Sequence, residues 1–145
     1  MFIKRPQMKY LRNVRKKQER SEPTSWLVPV NPKYYDIEKA FAESDTILWK
    51  QSNSIIVGDT IYLYIAAPYS CILYKCFAVE VDIPYEFDDG KVHMKKVMKI
   101  KWLYTYDKTM FGLAELHEHG ILSVRGPRSV PYGLRYKLEK ESENK

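Results

Sequence analysis

The stretch Val92-His93-Met94-Lys95-Lys96-Val97-Met98-Lys99-Ile100-Lys101-Trp102-Leu103-Tyr104 alternates with a period of two. Val92, Met94, Met98, Ile100, Trp102 and Tyr104 form one row, which only Lys96 breaks; His93, Lys95, Val97, Lys99, Lys101 and Leu103 form the other. Such a pattern predicts a strand with one row packed inward and lysines in water. It needs partners, and the chain supplies them upstream. Trp26-Leu27-Val28-Pro29-Val30 is a short apolar strand that Asn31-Pro32 stops. Val57-Gly58-Asp59 is a turn into a strand from Thr60 to Ala66, and Pro68-Tyr69-Ser70 turns the chain into a β-rich run from Cys71 to Asp82.

Helices are predicted between these strands. Asp36 is a suitable N-cap for Ile37, Ala40 and Phe41 on one face, with an end near Ser44. A loop carrying Trp49-Lys50-Gln51 follows. Pro84 to Gly90 reads as an acidic loop. Gly112 opens a short helix through His119, with Gly120 as its stop. A brief strand is expected from Ile121 to Val124, and Pro131 opens a last helix carrying Leu134 and Leu138, frayed after Glu139. Strands outnumber helices, and the helices are scattered between them. The expected class is α+β, a small mixed β-barrel flanked by short helices.

At 145 residues, with 45% apolar and 14% aromatic side chains, the chain is long enough for one domain with its own core. Its 12 tyrosines suit half-buried strands and wet binding surfaces. The net charge of +6 is unevenly spread. Eight basic side chains against Glu19 give +7 over residues 1–20, which leaves the rest of the chain at −1. The expected organisation is a basic arm over 1–24, a domain over 25–140 and a polar tail over 141–145. An arm of this kind suits phosphate, an acidic partner or an anionic surface, and equally serves as a solubilising tail or linker. Cys71 and Cys76 are expected on opposite faces of one strand, hence reduced and cytoplasmic. No apolar stretch approaches the ~20 residues that span a bilayer, and Met1 to Tyr10 lacks the apolar centre of a secretory signal.

Catalytic chemistry finds little support. His93 sits on a lysine-rich row, and His117 and His119 are two apart on a helix, pointing apart. Neither they nor the Cys-x4-Cys pair have the spacing of a metal site. The Asp89-Gly90-Lys91 turn lacks a distant acid to converge on an ion. Neither a Gly-rich phosphate loop nor a nucleophile elbow is present. We expect no catalytic residue, no metal and no cofactor.

What remains is a set of aromatic, amide and guanidinium groups at element ends. Trp49 lies beside Lys50 and Gln51, Asn31 closes the first strand, and Tyr69 sits in a hairpin turn. Tyr85 and Phe87 sit in the acidic loop, and Arg125 and Arg128 flank Gly126-Pro127. A flipped base uses this inventory: a ring to stack on, amides that match its edge, and arginines for its phosphates. Each residue alone has a plainer reading as core or surface, and periodicity cannot show that they converge.

Three segments in order carry a resemblance: Trp26 to Asp36, Trp49-Lys50-Gln51, and Val57-Gly58-Asp59 through Tyr64. Together they resemble the EVE domain of the PUA-like superfamily, related to the YTH readers of methylated adenine. The likeness runs from about Trp26 to Leu138. It implies a small mixed barrel with an aromatic pocket for a modified nucleobase, often in bacterial restriction or defence systems. Trp49 then matches the cage tryptophan, Asn31 the reader of the base edge, and Arg128 or Arg125 the phosphate grip. Tyr85 or Phe87 has to form the other wall, since no tryptophan stands in that loop.

The expected function is therefore a non-catalytic module that recognises a modified, methylated base, with DNA favoured over RNA and a nuclease or other defence protein as a further partner. No membrane partner is expected. Two alternatives stand beside it: an RNA-binding module of the broader PUA-like kind, and a protein-interaction or inhibitor module that has lost base binding. Fold alone does not decide between them.

Overall fold

The computed structural model describes residues 22–52, 54–88 and 93–143, with the backbone alone at 86–88 and 93–95. The basic run over 1–20 and the Asp89-Gly90-Lys91 turn lie outside the described residues. The elements are β1 (Ser25–Val30), α1 (Ile37–Glu43), β2 (Thr46–Lys50), β3 (Thr60–Ile65), β4 (Cys71–Asp88), β5 (His93–Thr105), α2 (Leu113–Glu118), β6 (Arg128–Ser129) and α3 (Tyr132–Glu143).

The strands form a single sheet in the order β2-β5-β4-β3-β1-β6. β1 and β3 run parallel; the other pairs are antiparallel. The mixed α+β class holds, but the expected barrel does not: the sheet is open, with β2 and β6 at its edges. Closure would need two edge ladders of matched length and stagger. β6 has only two residues and β2 five, so no such ladder is available.

β3 is buried on both faces, which explains its unbroken apolar run. Ile61, Leu63 and Ile65 face a cluster that includes Ile37 of α1, with Phe41 packed against it. Tyr62 and Tyr64 face a second cluster with Leu116 of α2 and Leu134 and Leu138 of α3. The caps follow the sequence. Asp36 Oδ1 accepts from Lys39 N at 3.0 Å, and Gly120 takes φ +82° after α2.

Several expectations fail for local reasons. Met98 and Ile100 are buried together, but Tyr104 packs on the opposite cluster and Trp102 is 37% exposed. The pairs Cys76–Trp102 and Lys75–Tyr104 leave Leu103 as an extra residue on β5, and such a bulge inverts the alternation beyond it. Val97, expected in water, is buried. A bulge at Leu73, between the pairs Leu63–Tyr74 and Tyr64–Ile72, likewise brings Cys71 and Cys76 into the same cluster, both as free thiols. Trp49 and Lys50 lie in a strand rather than a loop, and Tyr85 and Phe87 lie within β4. Residues 121–124 are irregular: Ile121 is buried, but Leu122 is 78% exposed, and the pairing with β1 begins only at Arg128. Among the described residues, no helix is long and apolar enough to cross a membrane.

α3 continues to Glu143 because Glu139 is anchored rather than frayed. Its carboxylate accepts from the Tyr62 hydroxyl and from Lys75 Nζ at 2.8 Å. Burial pushes the Glu139 carboxyl up, but the hydrogen bonds from Lys75 and Tyr62, with the charges of Lys75 and Arg135, outweigh it and hold it below the ordinary value. A carboxyl depressed in the folded state adds stability above its unfolded value of about 4.3 and loses it as pH falls through the folded one. Urea melts of the wild-type chain should therefore weaken with acid below that value. Glu139→Gln should be less stable at neutral pH and show a shallower acid slope; parallel slopes would show that the anchor contributes nothing.

Candidate functional site

β1 ends in a turn that its own sequence builds. Asn31 Oδ1 accepts from Lys33 N at 3.0 Å, and its carbonyl accepts from Tyr34 N at 3.0 Å and Tyr35 N at 3.2 Å. This is the local bonding that makes asparagine a turn residue. It leaves Tyr34 85% exposed and Tyr35 half-buried. The Asn31 side-chain nitrogen makes no hydrogen bond among the described residues, so its two N–H groups are available as donors.

Trp49 stands on the edge strand β2, opposite Met98 of β5, and packs against the α1-side core. The Tyr35 and Trp49 rings meet edge to face, with centroids 4.8 Å apart and planes at 86°. Burial raises the Tyr35 phenol above its ordinary value, so it stays protonated at neutral pH. Lys50 follows Trp49 on the exposed side of the strand.

β1 and β2 are separated in the sheet by three strands, yet both line one hollow of about 460 Å³. The sheet therefore coils without closing, and the hollow occupies the gap. Its walls combine Asn31, Tyr34 and Tyr35 from the β1 turn with Trp49 and Lys50 from β2 and Tyr85 from β4. Pro29, Leu48 and Val97 complete it. Tyr85 arrives by bending. Against β5, β4 carries one extra residue in each of the intervals 78–80, 80–83 and 84–87. Bulges bend and twist a strand, and these carry the outer part of β4 towards β2. The volume falls within the roughly 300–1,000 Å³ of small-ligand sites.

The sequence-predicted residues divide. Asn31, Trp49, Lys50 and Tyr85 share the hollow. Gln51 turns to the β4 bend instead: its Oε1 accepts from Asp82 N at 2.6 Å and its Nε2 donates to Asp82 Oδ1 at 3.0 Å. Asp82 has φ +59°, a conformation that side chains disfavour, and this pair of bonds holds it. Tyr69 lies in the β3–β4 turn and lines a separate cavity. Phe87 pairs through its backbone with Met94; its side chain lies outside the described residues. Arg125 and Arg128 are exposed and do not line the hollow; Arg128 sits on β6, where its Nε donates to Ser129 O at 3.3 Å. Sequence reasoning passed over Tyr34 and Tyr35 as walls, although two tyrosines directly after a chain-reversing Asn-Pro were the available signal.

Among the described residues, no three His, Cys, Asp or Glu side chains gather to hold a metal ion.

Solved structures share this fold. An NMR structure of Rpa0253 from Rhodopseudomonas palustris superposes with a TM-score of 0.57 at 18% identity, over 82% of this chain and 92% of that one. Atu2648 from Agrobacterium tumefaciens gives 0.57 at 14% identity over the same shares. ASCH from Zymomonas mobilis gives 0.55 at 8% identity, covering 82% of this chain and 96% of that one. No protein-family model matches the chain, and no curated protein matches it in sequence.

The Gln51–Asp82 clamp generates a test of how the hollow is held. Gln51→Ala should cost roughly 0.5–1.5 kcal/mol of stability and speed hydrogen exchange at the Asp82 amide. Unchanged exchange there would show that the bend stands without it.

Proposed function

We propose that this chain is a non-catalytic nucleic-acid-binding module whose hollow takes a single nucleobase turned out of its strand and favours a methylated one. The observation that carries this reading is the meeting of Trp49, Tyr34, Tyr35 and Tyr85 around one cavity, with Asn31 and Lys50 beside them. An aromatic ring in such a wall can stack on a planar base, at ~1–3 kcal/mol per stacked base. The Asn31 N–H groups suit acceptors on a base edge, and Lys50 suits a neighbouring phosphate. The described residues that line the hollow include no carboxylate, histidine, serine or cysteine. Among the described residues its ionisable side chains are tyrosines and Lys50, a set that favours stacking and phosphate contact over hydrolytic chemistry.

Extracting a base from a duplex costs a few kcal/mol, and stacking roughly offsets it. Selection then falls to packing around one extra methyl group, worth about 1–3 kcal/mol. The module is a modest discriminator. Its basic N-terminal run would add affinity without sequence preference. The EVE resemblance favours modified DNA in a bacterial restriction or defence system, and the hollow supports it by bringing Asn31 and Trp49 together.

Trp49→Ala tests this reading. Fluorescence anisotropy with short methylated and unmethylated DNA strands should show a roughly five- to hundredfold loss of affinity and loss of the methyl preference. Circular dichroism should show the fold intact. Equal binding by wild type and variant would overturn the reading, and tighter binding of matched RNA would move it from DNA to RNA, where the 2′-hydroxyl is available.

A further inference from the structure

A second cavity of about 270 Å³ lies between the N-terminal turn of α1 and the turn that joins β3 to β4. It shares only Tyr35 with the larger hollow. Three tyrosines, Tyr35, Tyr69 and Tyr74, form its walls, and the carboxylates Asp36 and Glu38 border it. We propose that this cavity binds an organic cation, an ammonium or guanidinium head on a short stem.

The carboxylates and ring faces that line the cavity favour positive charge. Ring faces are negative, and a cation within about 6 Å of a ring centroid is attracted to it. Asp36 Oδ1 caps α1, but neither Asp36 nor Glu38 has a cationic partner among the described residues. None of the described residues lining the cavity carries a positive charge. Lys108 Nζ stands 4.8 Å from the Tyr69 centroid, so a cation that uses that ring has to displace the chain's own ammonium.

Tyr74 adds an open acceptor to the cavity wall. It is only 6% exposed, it lines the cavity, and its hydroxyl has no hydrogen-bond partner among the described residues. The oxygen itself keeps some contact with solvent, since among the described residues no fully buried side-chain polar atom is left unpaired. Burial first, then the charge of Glu38, pushes the Tyr74 phenol up to about 12, so the group is neutral and offers its oxygen lone pairs as acceptors. A cationic head is drawn by charge to the ring faces and carboxylates, and one that carries N–H groups can also donate to the phenol oxygen.

The same chemistry could come from a free small cation or from the end of a partner's lysine or arginine side chain. NMR titrations of the full chain distinguish these. Choline and agmatine are the free probes; short peptides with a central trimethyllysine or arginine are the bound ones; and 3,3-dimethyl-1-butanol is choline's uncharged isostere. The cationic probes should shift the amides of Ile37, Tyr69 and Leu73. Glu38→Gln and Tyr69→Ala, both at exposed positions, should each weaken binding roughly threefold to tenfold. Preference for the peptides assigns the site to a partner's side chain, and preference for the free probes assigns it to a small molecule; either result supports a cation site. No shift with any cation, equal binding of the uncharged isostere, or unchanged affinity in both variants would overturn it.

Discussion

One buried carboxylate sets the frame. Asp59 is fully buried, and its oxygens accept from Thr24 N at 2.9 Å, from the Trp26 indole at 2.8 Å and from Ile56 N at 3.0 Å. A buried charge persists only where hydrogen bonds replace its water. Here those bonds tie the start of β1 to the turn before β3. They fix the parallel register from Ser25 opposite Thr60 to Val30 opposite Ile65. Gly58 supports the same turn with φ +98°, its α-carbon so close to Pro23 that a Cβ would lie 3.2 Å from the ring. Where β1 begins determines where it ends, and Asn31 turns the chain at that end. The hollow thus inherits one wall from a polar contact at the far end of the strand.

The opposite walls come from irregularity. An evenly pleated β4 would stay beside β5, away from β2. Its bulges bend it across, with Gln51 holding the residue of positive φ at the bend. The coil that results stops short of closure, because β6 is two residues long. The pocket exists because the barrel does not close.

Elements whose cause is local were legible in the sequence. The Asp36 cap, the Asn31-Pro32 stop, the Gly58-Asp59 turn and the Gly120 stop all depend on side chains within a few residues. The bulges at Leu73 and Leu103 were not legible, since their cause is the fit of one strand against another. They alone defeat the reading of Cys71 against Cys76 and of Trp102 with Tyr104. For the site, Trp49 and Asn31 stood out by type, and Tyr85 as a candidate second wall. That they meet depends on the coil of the sheet, which no window of sequence contains. Gln51 stood out for the same reason as Trp49, and its amide is spent on Asp82.

The claim that most needs testing is that a base lies against Trp49. The three indole N–H resonances report on it directly, since Trp26 donates to Asp59 and Trp102 to Thr105. During a titration with a short methylated DNA strand, the Trp49 signal should move under the ring current of a stacked base while that of Trp26 stays in place. A strand that binds without moving the Trp49 signal would contradict the account.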